Sequence, residues 1–253
     1  MSIRLVTFDL DDTLWDVAPV MNGAEAALRD WLAINAAQLG PVPIEHLWQI
    51  RQRVIGEDPS LRHRMSELRR RILLRALLDA GYPVGEAGEL AEAAFEVFLA
   101  ARHQVSFFPG VQSTLEQLAD RYVLGVITNG NADVRRLGLA DYFRFALCAE
   151  ELGVGKPDPT PFTEAVARAG VAASEALHIG DHPADDILGA RRAGLHAVWF
   201  NPTGKAWALP EVRPGILSTG LHDYSQLPLD EKPSAEIRQL GELPGLLAGW
   251  KQA

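Results

Sequence analysis

Carboxylates, a hydroxyl and an ammonium stand just beyond apolar stretches of this chain. Asp9-Leu10-Asp11-Asp12-Thr13 follows Ile3–Phe8. If the chain stays extended, Asp9 and Asp11 project to the same side. Neighbouring carboxylates repel, so such a pair calls for a cation or a shared proton. Oxygen donors without a His/Cys cluster favour magnesium over zinc. The plainer alternative is a solvated acidic loop. Thr128-Asn129-Gly130 follows Tyr122–Ile127. A hydroxyl and loop amides there suit an anionic oxygen, although Asn-Gly is also a strong turn former. Lys156 offers one ammonium, which taken alone is usually a solvated charge. Gly180-Asp181 follows Ala176–Ile179, with Asp185 and Asp186 close behind. Helix capping is the simpler role for those last two.

Ile3–Phe8, Tyr122–Ile127, Phe143–Ala149, Ala176–Ile179 and His196–Phe200 are short, apolar and rich in β-formers, and read as buried strands. Helical patterns lie around Gln112–Asp120, over Pro161–Ala169 before Gly170, and over Asp186–Ala193 before Gly194. This alternation specifies an α/β fold with a parallel sheet. In such a sheet the strand ends converge on one crevice. Asp9, Thr128 and Asp181 therefore meet, and their inventory suits phosphoryl transfer, where a protein mainly positions groups and neutralises charge.

Residues 19–106 differ. They are rich in Ala, Leu, Glu and Arg and carry no convincing strand; Met65, Leu68, Ile72 and Ala76 recur at helical spacing, with Arg69, Arg70, Arg71 and Arg75 on other faces. The stretch reads as a helical insertion, with the core in residues 1–18 and 107–253. In the tail, Leu227–Ala235 reads as a loop, Glu236–Arg238 as an edge strand and Leu243–Trp250 as a helix.

The net charge of −9 argues against general affinity for nucleic acid or anionic membranes, while leaving room for a local anion site. Cys148 is the sole cysteine, which excludes an intrachain disulfide and fits a reducing cytoplasm. Asp9, Asp11 and Asp12 come too early for a signal-peptide core, and no apolar run has the length of a membrane span.

Together, Asp9-x-Asp11-x-Thr13, Thr128, Lys156 and Gly180-Asp181-x-x-x-x-Asp186 resemble, in order, the four motifs of the haloacid dehalogenase-like hydrolase superfamily. The resemblance implies a Rossmann-like core, with residues 19–106 as a helical-bundle cap that selects the substrate. It implies an aspartyl-phosphate on Asp9, with Asp11 as general acid/base. Thr128 and Asn129 would hold the phosphoryl group, and Lys156 would pair with nucleophile and phosphate. A Mg2+ ion would be bound by Asp9, the main-chain carbonyl of Asp11, and Asp181. Asp186 would bind the metal or orient its neighbours. The expected substrate is a small phosphorylated metabolite and the expected state a monomer or homodimer. Asp11 favours a phosphatase over a dehalogenase, which needs neither this residue nor the metal. A phosphomutase shares these motifs, and a non-catalytic binding protein would be expected to lack one of them. DLDDTLWD at Asp9–Asp16, TNGN at Thr128–Asn131 and LADYF at Leu139–Phe143 further resemble a bacterial branch acting on flavin mononucleotide and on a phosphorylated ribitylaminouracil. Trp15 is placed either against a substrate ring or in packing between cap and core. Arg51, Arg53, Arg62 and Arg64 are placed as solvated or phosphate-attracting. His178 is expected in the core and Cys148 buried and inert.

Overall fold

Leu5–Phe8 is buried along its whole length, as a strand covered on both faces must be. In the computed structural model, which describes residues 2–42, 44–208 and 231–250, this strand (β1) lies inside a six-stranded sheet. The others are β2 (Val123–Thr128), β3 (Phe145–Cys148), β4 (Ala176–Gly180), β5 (His196–Phe200) and β6 (Ala235–Ile237). Their order is β3-β2-β1-β4-β5-β6 and every pairing is parallel. From β1 the chain builds outward to β2 and β3, then returns to β4 on the other side. The winding thus reverses between β1 and β4, the switch point at which ligands bind in open α/β sheets.

The chain leaves this sheet unit after Asp16 and rejoins it at Ser106. Within the unit, Phe162 and Ala165 of a helix over Thr160–Ala169 pack with Leu5, Ile127, Leu147 and Trp199 of the strands. Gly170 ends that helix at φ 67°, its N–H bonded to the carbonyls of Val166 and Ala167. The edge strand is Ala235–Ile237 and the last helix Leu243–Ala248; the part of the expected loop before residue 231 lies outside the described residues.

The expected helix over Asp186–Ala193 takes another form. Pro183–Leu188 makes a wide π-type turn, and only Gly189–Arg192 is α-helical. The His182 carbonyl accepts from both Asp186 and Ile187 N–H, at 3.0 and 3.4 Å. Apolar patterning cannot distinguish this widened turn from an α-helix.

The second unit holds α1 (Val17–Asn35), α2 (Ile44–Glu57), α3 (Met65–Asp79) and α4 (Val84–Arg102). One face of α3 carries Leu68, Ile72 and Ala76 against Ile50 and Val54 of α2. Leu73 and Leu77 pack with Ala24 and Leu28 of α1 and with Phe95 and Phe98 of α4. Arg69, expected on a polar face, is instead buried: its guanidinium lies 3.5 Å over the Phe98 ring and pairs with Glu25 at 2.9 Å. Arg70 covers Phe95 in the same way, at 3.8 Å. Aromatic faces thus accept two arginines that helical spacing assigns to solvent.

Phe95 is fully buried at the centre of this cluster. Phe95→Ala is expected to destabilise the protein by about 3–5 kcal/mol through lost burial and a residual cavity. Urea unfolding would measure this; a change below about 1 kcal/mol would show that the helices repack without that ring.

Candidate active site

Beyond β1 the chain curls rather than continuing extended. Asp12 takes φ 56°, a left-handed conformation that aspartate tolerates better than most residues, and Leu14 N–H bonds back to the Leu10 carbonyl at 2.8 Å. The strand alternation expected for Asp9 and Asp11 therefore stops. Asp9 is buried, and one of its carboxylate oxygens lies within 4.8 Å of one from Asp181 and one from Asp186. The Asp11 carboxylate is outside that group, and its Oδ1 accepts a 3.0 Å hydrogen bond from Trp15 Nε1. Trp15 has no exposed surface and stands edge-on to Phe107, which excludes the ring contact with substrate considered above.

Lys156 is buried with its Nζ 2.6 Å from Asp9 Oδ1 and 2.6 Å from Asp186 Oδ1. The solvated reading of this lysine thus fails. Asn129 fixes its backbone: Oδ1 accepts the Lys156 N–H at 2.7 Å and Nδ2 donates to the Lys156 carbonyl at 2.8 Å. The Asn129 side chain is therefore a clamp on the lysine segment, which leaves its main-chain N–H as the group for the expected substrate contact. Gly155 permits the clamp, since a Cβ there would lie 2.5 Å from Asn129 Oδ1. Thr128 is buried at the end of β2 and accepts the Gly130 N–H at 3.0 Å, which leaves its own O–H to donate.

The choice between Asp185 and Asp186 is decided by geometry. Asp186 joins the cluster: Oδ1 meets Lys156 and also His178 Nε2 at 3.1 Å, while Oδ2 accepts the His182 N–H at 2.9 Å. Asp185 lies outside it, 3.4 Å from Asn129 Nδ2. Of the two roles expected for Asp186, these donors favour orienting its neighbours. Gly180 makes room for it, because a Cβ there would lie 2.2 Å from Asp186 Cγ. Asp181 is held from β5, where Trp199 Nε1 donates to its carbonyl at 2.8 Å. Sequence reasoning missed the supporting roles of Trp15, His178, His182 and Trp199; the apolar runs Ala176–Ile179 and His196–Phe200 marked strands without revealing what their polar groups bond. Arg51 is buried beside Trp48, so its solvated reading fails, whereas Arg53 is exposed and pairs only at 3.7 Å with Asp79.

Three carboxylates and one ammonium leave this buried cluster short of positive charge. Burial pushes the Asp9 carboxyl up to about 8, opposed by Lys156 and reinforced by Asp186. Burial also raises Asp181 well above the carboxylate range, with Asp186 and Asp9 adding to it. For Asp186 burial is outweighed by Lys156 and His178, which hold it low; for Lys156 it is outweighed by Asp186 and Asp9, which hold it high. Burial lowers the His178 imidazole, opposed by its hydrogen bond to Asp186. An all-oxygen cluster with surplus negative charge fits a hard divalent cation.

The chain matches the family described as haloacid dehalogenase-like hydrolase over residues 3–194. It belongs to that family. Among curated proteins it is 36% identical over 200 residues to the 5-amino-6-(5-phospho-D-ribitylamino)uracil phosphatase YigB of Escherichia coli, covering 79% of this chain and 84% of that one. It is 33% identical over 227 residues to the phosphoserine phosphatase of Thermus thermophilus, covering 79% and 89%. Among solved structures, one described as a 2-haloacid dehalogenase from Pseudomonas syringae is 61% identical, covers 98% of this chain and 100% of that one, and superposes with a TM-score of 0.89. Among the described residues no helix is long and apolar enough to cross a membrane.

Gly180→Ala should cost about 1–3 kcal/mol by overpacking against Asp186. In an Asp186→Gly background, which removes the Cβ, Cγ and Oδ2 atoms that a Cβ at 180 would meet, the cost should largely disappear, read as a double-mutant cycle in urea. Additive costs would show that Gly180 does not serve to seat Asp186.

Proposed function

We propose that this hydrolase is a magnesium-dependent phosphomonoesterase acting through an aspartyl-phosphate on Asp9. The observation that carries this reading is the buried Asp9–Lys156–Asp186 triad beside Asp181 at the switch point of the sheet. Lys156 occupies Asp9 Oδ1, which leaves Oδ2 as the attacking oxygen. As the Asp9 O–P bond forms, the bond from phosphorus to the leaving oxygen breaks. Asp11, held by Trp15 but less buried than Asp9, protonates that oxygen. Asp11 then takes a proton from water, which attacks the phosphorus of the acyl phosphate and releases Asp9 and inorganic phosphate. The Thr128 O–H is placed to donate to a phosphoryl oxygen. Asp9 and Asp181, with the Asp11 carbonyl, are the groups that would hold Mg2+, and Asp186 closes the cluster behind them. When bound, the cation supplies positive charge that offsets repulsion between carboxylate and phosphate.

The relation to a ribitylaminouracil phosphate phosphatase, together with DLDDTLWD, TNGN and LADYF, supports a phosphorylated riboflavin precursor or flavin mononucleotide as substrate. A second reading is halide displacement from a 2-haloacid, favoured by the description of the 61% identical protein. There Asp9 would attack carbon and expel halide, with no metal and no proton for a leaving oxygen. Asp11 and the surplus negative charge of the cluster then have no task, which ranks this reading second.

Two assays separate the readings. With magnesium, p-nitrophenyl phosphate should be hydrolysed, and a chelator should abolish the activity; chloride release from 2-chloropropionate in chelator would establish the second reading instead. Asp11→Asn should lower phosphatase kcat by roughly 10²–10⁴-fold with little change in KM. Unchanged kcat with a large rise in KM would show that Asp11 only binds substrate.

A further inference from the structure

His178 is a fully buried histidine on β4, directly opposite Thr7 of β1 in the parallel register. Thr7 Oγ1 lies 2.9 Å from Nδ1 of the ring, and Asp186 Oδ1 lies 3.1 Å from Nε2. An ionised carboxylate can only accept, so the contact with Asp186 requires the ring proton on Nε2. Nδ1 then carries the lone pair, and the Thr7 hydroxyl donates to it. The opposite tautomer would set a ring lone pair against the carboxylate. Phe162 stands edge-on to the imidazole at 5.2 Å and restricts its orientation.

The geometry points to His178 as a positioning residue for the nucleophile: its Nε2–H fixes Asp186 so that Lys156 stays shared between Asp186 and Asp9. This rests on the reading of Asp9 as nucleophile. Without that donor, Asp186 Oδ1 has only Lys156 to satisfy it, and the ammonium is drawn away from Asp9. The Asp9 carboxylate then loses the contact that orients its attacking oxygen. No substrate contact is involved, so the loss falls on kcat rather than KM.

NMR of the full-length protein with 15N-labelled histidine tests the arrangement without turnover. His178 should give a slowly exchanging Nε2–H and an unprotonated Nδ1; an Nδ1–H tautomer overturns the proposal. In steady-state assays with p-nitrophenyl phosphate, His178→Leu should lower kcat roughly 10-fold or more with KM within about 2-fold, the effect of losing a hydrogen bond to a charged group. His178→Gln, which presents an N–H near the Nε2 position, should recover most of the loss. Wild-type kcat in a folded His178→Leu protein, or a His178→Gln protein as impaired as His178→Leu, overturns the proposal. Should His178→Leu not fold, Thr7→Val removes the hydroxyl that supports the ring from Nδ1; it should lower kcat about 3-fold with KM unchanged, and unchanged kcat despite a displaced His178 ring signal overturns the proposal. An inactive wild type with the Nε2–H tautomer intact would instead sink the phosphatase reading.

Discussion

The buried ammonium of Lys156, held at 2.6 Å from both Asp9 and Asp186, is the contact on which the rest of this site depends. Two carboxylates from distant parts of the sequence are drawn onto one cation. Removing one partner of such a buried set leaves uncompensated charge and typically costs about 3–5 kcal/mol. The surrounding structure is organised to keep the lysine in place. Asn129 clamps its backbone, Gly155 and Gly180 remove the side chains that would block Asn129 and Asp186, and the π-type turn over Pro183–Leu188 brings Asp186 back toward the sheet.

One lysine does not neutralise three acids. The raised Asp9 and Asp181 carboxyls express that shortfall, and they are the groups a divalent cation would restore to their charged forms. Asp11 lies apart from this cluster, with Trp15 as its partner. The separation suits a division of labour in which Asp9 attacks while Asp11 moves protons, as two acids in different surroundings can do.

Much of this was legible in the sequence. The strands were marked by apolar β-forming runs, and their alternation with helices placed Asp9, Thr128 and Asp181 at one edge of a parallel sheet. What was not legible depends on register and on contacts between distant segments. Thr7 and His178 are ordinary strand residues until the pairing of β1 with β4 sets them side by side. Asn129 looks like a turn former, and its bond to Lys156 spans 27 positions. Asp9 and Asp11 looked like a strand pair, but the left-handed turn at Asp12 ends the alternation. Arg69 sits on what helical spacing marks as a polar face, and only the facing ring of Phe98 explains its burial.

The covalent intermediate on Asp9 is the central claim, and trapping it tests that claim most directly. Enzyme quenched in acid during turnover of a phosphomonoester with magnesium would be digested and examined by mass spectrometry. One added phosphoryl group is expected on the peptide containing Asp9, enriched in Asp11→Asn if hydrolysis of the intermediate is the slowed step, and absent from Asp9→Asn. A phosphoryl group mapped to another residue, or full hydrolytic activity in Asp9→Asn, would contradict it.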